Sequence, residues 1–116
     1  MDSPIANNTI GKTTVSPEVL HKIVRLTTLS VQGVSRMASV GGSLEQIFGK
    51  DELKGAKVQI KDNSVFVDIY VVLMSNINVR DISREIQSRV SRTISQIIGM
   101  DVGGVNIHIM DIDFSA

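Results

Sequence analysis

With 116 residues, 42% apolar and 21% charged, the chain has the make-up of a soluble globular protein and is long enough to bury one core without disulfide or metal support. It has no cysteine, which excludes a disulfide framework or a thiolate site and fits a reducing cytoplasm. Its formal net charge of +0 offers no broad footprint for nucleic acid or anionic lipid, and no apolar run approaches the roughly 18–20 residues needed to span a bilayer.

Residues 1–8 lack the basic start and apolar core of a secretory signal and read as a disordered lead-in to a single domain over 9–116. Thr9 to Val15 is a candidate first strand. Ser16-Pro17-Glu18 then announces a helix: serine accepts from an orphan amide, proline suits the first helical position, and glutamate complements the positive dipole end. Val15 and Leu20 stand at the positions of a hydrophobic staple. Leu20, Ile23, Val24 and Thr27 form the expected buried stripe, with Gly33 as the stop.

Ser35 to Gly55 is the least regular stretch. Gly41-Gly42 makes a flexible joint, and Ser43-Leu44-Glu45-Gln46 matches a capping box for a short helix through Ile47-Phe48. Its free amides could suit an anion, but the favoured reading is a loop that tucks Leu44, Ile47 and Phe48 against the core.

Lys57 to Leu73 reads as a hairpin turning at Asp62-Asn63, both tolerant of positive φ. That loop sets Ile60 opposite Val65, Val58 opposite Val67, and Lys57 opposite Asp68. A second helix starts at Asn78, with Asp81 near its positive end and Ile77 stapled to Ile82. Val79, Ile82, Ile86, Val90, Ile94 and Ile97 give its stripe, and Gly99 ends it. A final strand is expected after Gly103-Gly104, running to Phe114. The order is (β)αββαβ, an α+β two-layer sandwich with two main helices on one face of a three- or four-stranded sheet.

Candidate chemistry is sparse. His21 and His108 have no second histidine or cysteine at ligand spacing, so neither reads as a metal site. Asp111 and Asp113 alternate on one strand face, the pattern of a solvated edge that discourages aggregation. No serine or threonine stands in a nucleophile motif, and the glycine-rich turn Gly99 to Gly104 runs from helix to strand, the wrong order for a dinucleotide loop. Arg80, Arg84, Arg89 and Arg92 scatter across the polar side of the second helix among Asp81 and Glu85, with Glu85 and Arg89 a favoured i,i+4 pair. No catalytic residue, cofactor or metal ligand is assigned.

The informative feature is the sheet face turned away from the helices. If Val65, Val67, Ile69, Val71 and Leu73 face inward, then Phe66, Tyr70, Val72 and Met74 face outward, joined in the last strand by His108, Met110, Ile112 and Phe114. A solvated face would be polar. Phe66, Tyr70 and Phe114 alone can cover roughly 500 Å². Phe66, Tyr70, Val72, Met110, Ile112 and Phe114 are therefore the proposed interaction face. The alternative is that a bulge or the Ser35–Gly55 segment covers it within the monomer.

Several segments, in order and spacing, resemble the alkaline shock protein family, also called envelope stress response proteins. They are Gly11-Lys12-Thr13-Thr14-Val15-Ser16-Pro17-Glu18-Val19-Leu20, Val31-Gln32-Gly33-Val34, Gly55-Ala56-Lys57-Val58, Asn78-Val79 with Ile86-Gln87, and Val105-Asn106-Ile107 through Asp111-Ile112. The likeness covers roughly residues 9–114; Thr27-Thr28 departs from the family's more alanine-rich helix. The resemblance implies a cytoplasmic, non-enzymatic adaptor linked to cell-envelope homeostasis and stress. It also implies self-association and contact with other proteins, including a membrane-anchored partner, without insertion into the membrane. Two other readings stay open: a KH-like nucleic-acid-binding module, against which the missing G-x-x-G loop speaks, and a regulator of fatty-acid or phospholipid metabolism.

Overall fold

A computed structural model describes residues 14–39 and 55–115. In chain order the elements are α1 (Pro17–Leu29), β1 (Val34–Met37), β2 (Ala56–Lys61), β3 (Ser64–Met74), α2 (Val79–Arg92), a π-wound turn over Thr93–Ile98, and β4 (Asp101–Asp113). The expected strand at Thr9 to Val15 lies largely outside the described residues, and Thr14 and Val15 are not strand. The expected short helix at 43–48 also lies outside them.

β3 is the hub of a four-stranded sheet. One of its edges is shared: β2 pairs antiparallel with its first half and β1 antiparallel with its end. The two meet at Tyr70, whose amide donates to the Gly55 carbonyl at 2.8 Å and whose carbonyl accepts from the Ala38 amide at 2.8 Å. The other edge takes β4 in parallel along its whole length. The expected hairpin register is the observed one: Ile60 faces Val65, Val58 faces Val67 and Lys57 faces Asp68. Asp62 and Asn63 take φ of 52° and 63°, the left-handed pair that a two-residue turn matched to strand twist demands.

Period-2 alternation along β3 sorts its side chains. Val65, Val67, Ile69, Val71 and Leu73 are fully buried against Leu20 and Val24 of α1 and Ile86, Val90 and Ile94 of α2 or its extension. Both helices therefore cover one face, the two-layer α+β arrangement expected. Capping fixes where each helix starts. The Ser16 side chain accepts from the Val19 amide at 3.2 Å, and Asn78 Oδ1 accepts from the Asp81 amide at 3.1 Å.

Four local expectations need correction. α1 stops at Leu29, four residues before Gly33, because the Ser30 amide closes the last turn; Gly33 serves the turn into β1. Its buried side is Leu20, His21, Val24 and Thr28, whereas Ile23 and Thr27 are only half-buried. His21 donates from Nε2 to the Ala56 carbonyl at 3.0 Å, and Thr28 donates to the Val24 carbonyl at 2.8 Å, so both polar groups are satisfied. At the end of α2 the π-winding, sealed by the Gly99 amide donating to Ile94 O at 2.9 Å, turns Ile97 out to 77% exposure. Ile98 packs against the core in its place. Finally, β4 begins at Asp101, so Gly103 and Gly104 lie inside the strand.

Candidate interaction face

The helix-free face of the sheet is built in rows by the strand registers. Lys57, Asp68 and Asn106 form one row; Tyr70 and His108 the next; Arg36, Val72 and Asp111 the third. Phe66 lies at one end beside Gly104, and Met74 pairs with Asp113 at the other.

This face is less oily than the sequence suggested, because the middle rows are polar and internally bonded. His108 Nε2 donates to Asp68 Oδ1 at 3.0 Å, Asn106 donates to the same oxygen at 3.3 Å, and the Tyr70 and His108 rings stack at 4.6 Å. The His108 hydrogen bond, helped by Asn106 and the charges of His108 and Lys57, holds the Asp68 carboxyl below its usual range against a partial desolvation cost. Asp113 accepts from Ser35 at 2.7 Å and pairs with Arg36 at 3.4 Å, bridging across β3. Its carboxyl is also held low, chiefly by hydrogen bonds from Ser115 and then Ser35. Val72, flanked by Arg36 and Asp111, is only 4% exposed.

Two bulges in β4 decide the rest. The register slips between Val65 and Phe66, leaving Gly103 extra, and between Val71 and Val72, leaving Met110 extra. The second slip reverses parity, so Ile112 pairs with Leu73 and packs against the core instead of facing outward. Of the six residues named from sequence, Phe66, Met110 and Phe114 are exposed, Tyr70 is half-buried in its stack, Val72 is buried, and Ile112 belongs to the other face.

Sequence reasoning missed a second feature. β4 has no partner strand on its outer edge among the described residues. It also missed the Asp68–Asn106–His108 cluster, which depends on a parallel register that no local pattern announces. Among the described residues no cluster of three or more His, Cys, Asp or Glu could hold a metal, and no helix is long and apolar enough to cross a membrane.

Compared with known families, residues 5–114 match the model of the alkaline shock protein 23 family, described as having a cell envelope-related function. The chain belongs to this family. Relatives include the uncharacterized protein Spy1535 of Streptococcus pyogenes serotype M6, 33% identical over 86% of this chain and 78% of its own length. The uncharacterized protein YqhY of Bacillus subtilis (strain 168) is 27% identical over 90% of this chain and 79% of its own. Among solved structures, two variants of the MamM CTD share the fold, each with a TM-score of 0.57 and covering 83% of this chain and 95% of their own, at 10% and 11% identity.

Proposed function

We propose that this alkaline shock family member is a non-enzymatic cytoplasmic adaptor in cell-envelope homeostasis. It acts by contact with other proteins and by self-association, near the membrane but not within it. The observation that carries this reading is the set of apolar side chains left in water on and beside the helix-free sheet face: Phe66 at 40% exposure, Met110 at 56% and Phe114 at 81%. Each of the two phenylalanines can bury ~150–250 Å² when covered, enough to anchor a partner. The polar rows between them supply orientation rather than affinity. The family's cell envelope-related description supports the setting.

Affinity capture from the native cell tests the reading, with wild type beside Phe66→Asp and Met110→Asp. Loss of the same co-purifying proteins, with circular dichroism unchanged, is the expected result. Unchanged capture by both folded variants would remove this face from the mechanism.

A further inference from the structure

Among the described residues, the backbone of β4 shows which of its hydrogen-bonding groups are open. Tyr70 bonds to Gly55 and Ala38, so the even-numbered residues of β3 point their amides and carbonyls toward β1 and β2, and the odd-numbered ones toward β4. In the parallel register Val67 pairs with Val105 and Ile69 with Ile107. A parallel ladder then directs Gly104, Asn106 and His108 toward β3, and Val105, Ile107 and Ile109 away from it. The Gln87 side chain agrees: it donates to the outward Val105 carbonyl at 3.1 Å. Beyond the second bulge Asp113 turns its carbonyl back to Ser75, and the outward amide of Ile112 is occupied by Asp111 Oδ1 at 2.8 Å. Among the described residues an open window thus runs over the Val105 amide, Ile107 and Ile109, with Gln87 on the Val105 carbonyl at one end and Asp111 at the other.

We propose that this window pairs with the same window of a second copy, antiparallel, about a twofold axis at Ile107. In that register Ile107 exchanges both bonds with Ile107 of the second copy, the Val105 amide donates to the Ile109 carbonyl, and the Ile109 amide reaches the second lone pair of the Val105 carbonyl that Gln87 already uses. The inner side chains Val105, Ile107 and Ile109 are only partly buried, whereas their neighbours Val67, Ile69 and Val71 are at 0% exposure. Antiparallel pairing sets the half-covered row against its own copy and keeps all helices on one face. A parallel pairing of the same edges would place that row beside Asn106 and His108. The bulges at Gly103 and Met110 end the straight stretch, and extending the pairing would bring Asp101 against Asp113. The contact is isologous and closes at two copies. The inference deepens the self-association proposed above and rests on that reading for its biological meaning.

On the outer face the same register sets Asn106 opposite His108 of the second copy. Asn106→Lys with His108→Lys therefore places like charges across both symmetric positions. Asn106→Glu with His108→Lys places opposite charges there while losing the same His108 contacts. Sedimentation velocity of the full chain up to about 1 mM reads the outcome. Wild type and the Glu/Lys variant should form dimers, with association of the Lys/Lys variant roughly tenfold weaker or more. A wild type that stays monomeric throughout, or two variants that associate alike, would overturn the proposal. A monomeric wild type whose protein capture still depends on Phe66 sinks the edge pairing alone; the expected dimer pattern with unchanged capture sinks the partner face alone.

Discussion

The Phe66 ring lies directly over the backbone of Gly103: a Cβ built on that glycine would collide with Cε1 and Cζ of the ring. The bulge and the ring make one device, since the extra residue in β4 is the one the aromatic covers. Gly103→Ala should therefore cost about 1 kcal/mol or somewhat more, because the half-exposed ring can swing but gives up its seat. In a Phe66→Ala background the same substitution should cost much less. A double-mutant cycle by urea denaturation measures the difference, and equal costs in both backgrounds would disprove the contact.

What the sequence revealed follows from the range over which each signal acts. The caps at Ser16 and Asn78 and the turn at Asp62-Asn63 involve residues within four positions of each other, and all were legible. Once the turn was placed, the β2–β3 register followed by counting. The β4 register did not, since a parallel partner is reached through an intervening helix and no turn fixes its phase. The bulge at Met110 then moved Ile112 to the opposite face, an error that alternation alone cannot detect. β1 escaped notice because four residues with a bulge after Val34 carry almost no periodic signal.

The π-wound end of α2 separates two isoleucines that helical spacing treats alike. Ile94 is fully buried and Ile97 is 77% exposed. Ile94→Ala should cost ~2–5 kcal/mol of stability, whereas Ile97→Ala should stay within about 0.5 kcal/mol. Chemical denaturation of the two variants decides it. A loss at Ile97 comparable to that at Ile94 would mean that the stripe continues in α-helical phase to the end.

At the hairpin, Asn63 holds φ of 63°, a conformation asparagine tolerates and glycine adopts freely. Asn63→Gly converts the loop to the favoured Asp-Gly turn and should gain up to about 1 kcal/mol. Asn63→Val should lose more than that, because a β-branched side chain resists the left-handed region. Thermal melting of the three proteins gives the order; a Val variant as stable as wild type would place the turn elsewhere.

Acid sensitivity tests the polar rows of the outer face. Asp68 and Asp113 are both held below the ordinary carboxylate range, by His108 foremost in the first case and Ser115 foremost in the second. A carboxyl lowered in the folded state binds its proton more readily when unfolded. Its contribution is therefore fully present above the unfolded value of about 3.9 and drains away as pH falls through the lower folded value. Urea midpoints measured between about pH 2 and 6 should fall on the acid side of that value for wild type. Asp68→Asn keeps an acceptor for His108 but cannot titrate, so its profile should be flatter; Asp113→Asn should flatten it independently, since the two carboxyls belong to separate bonded groups. If both variants lose stability with the same steepness as wild type, neither carboxylate carries the linkage assigned to it.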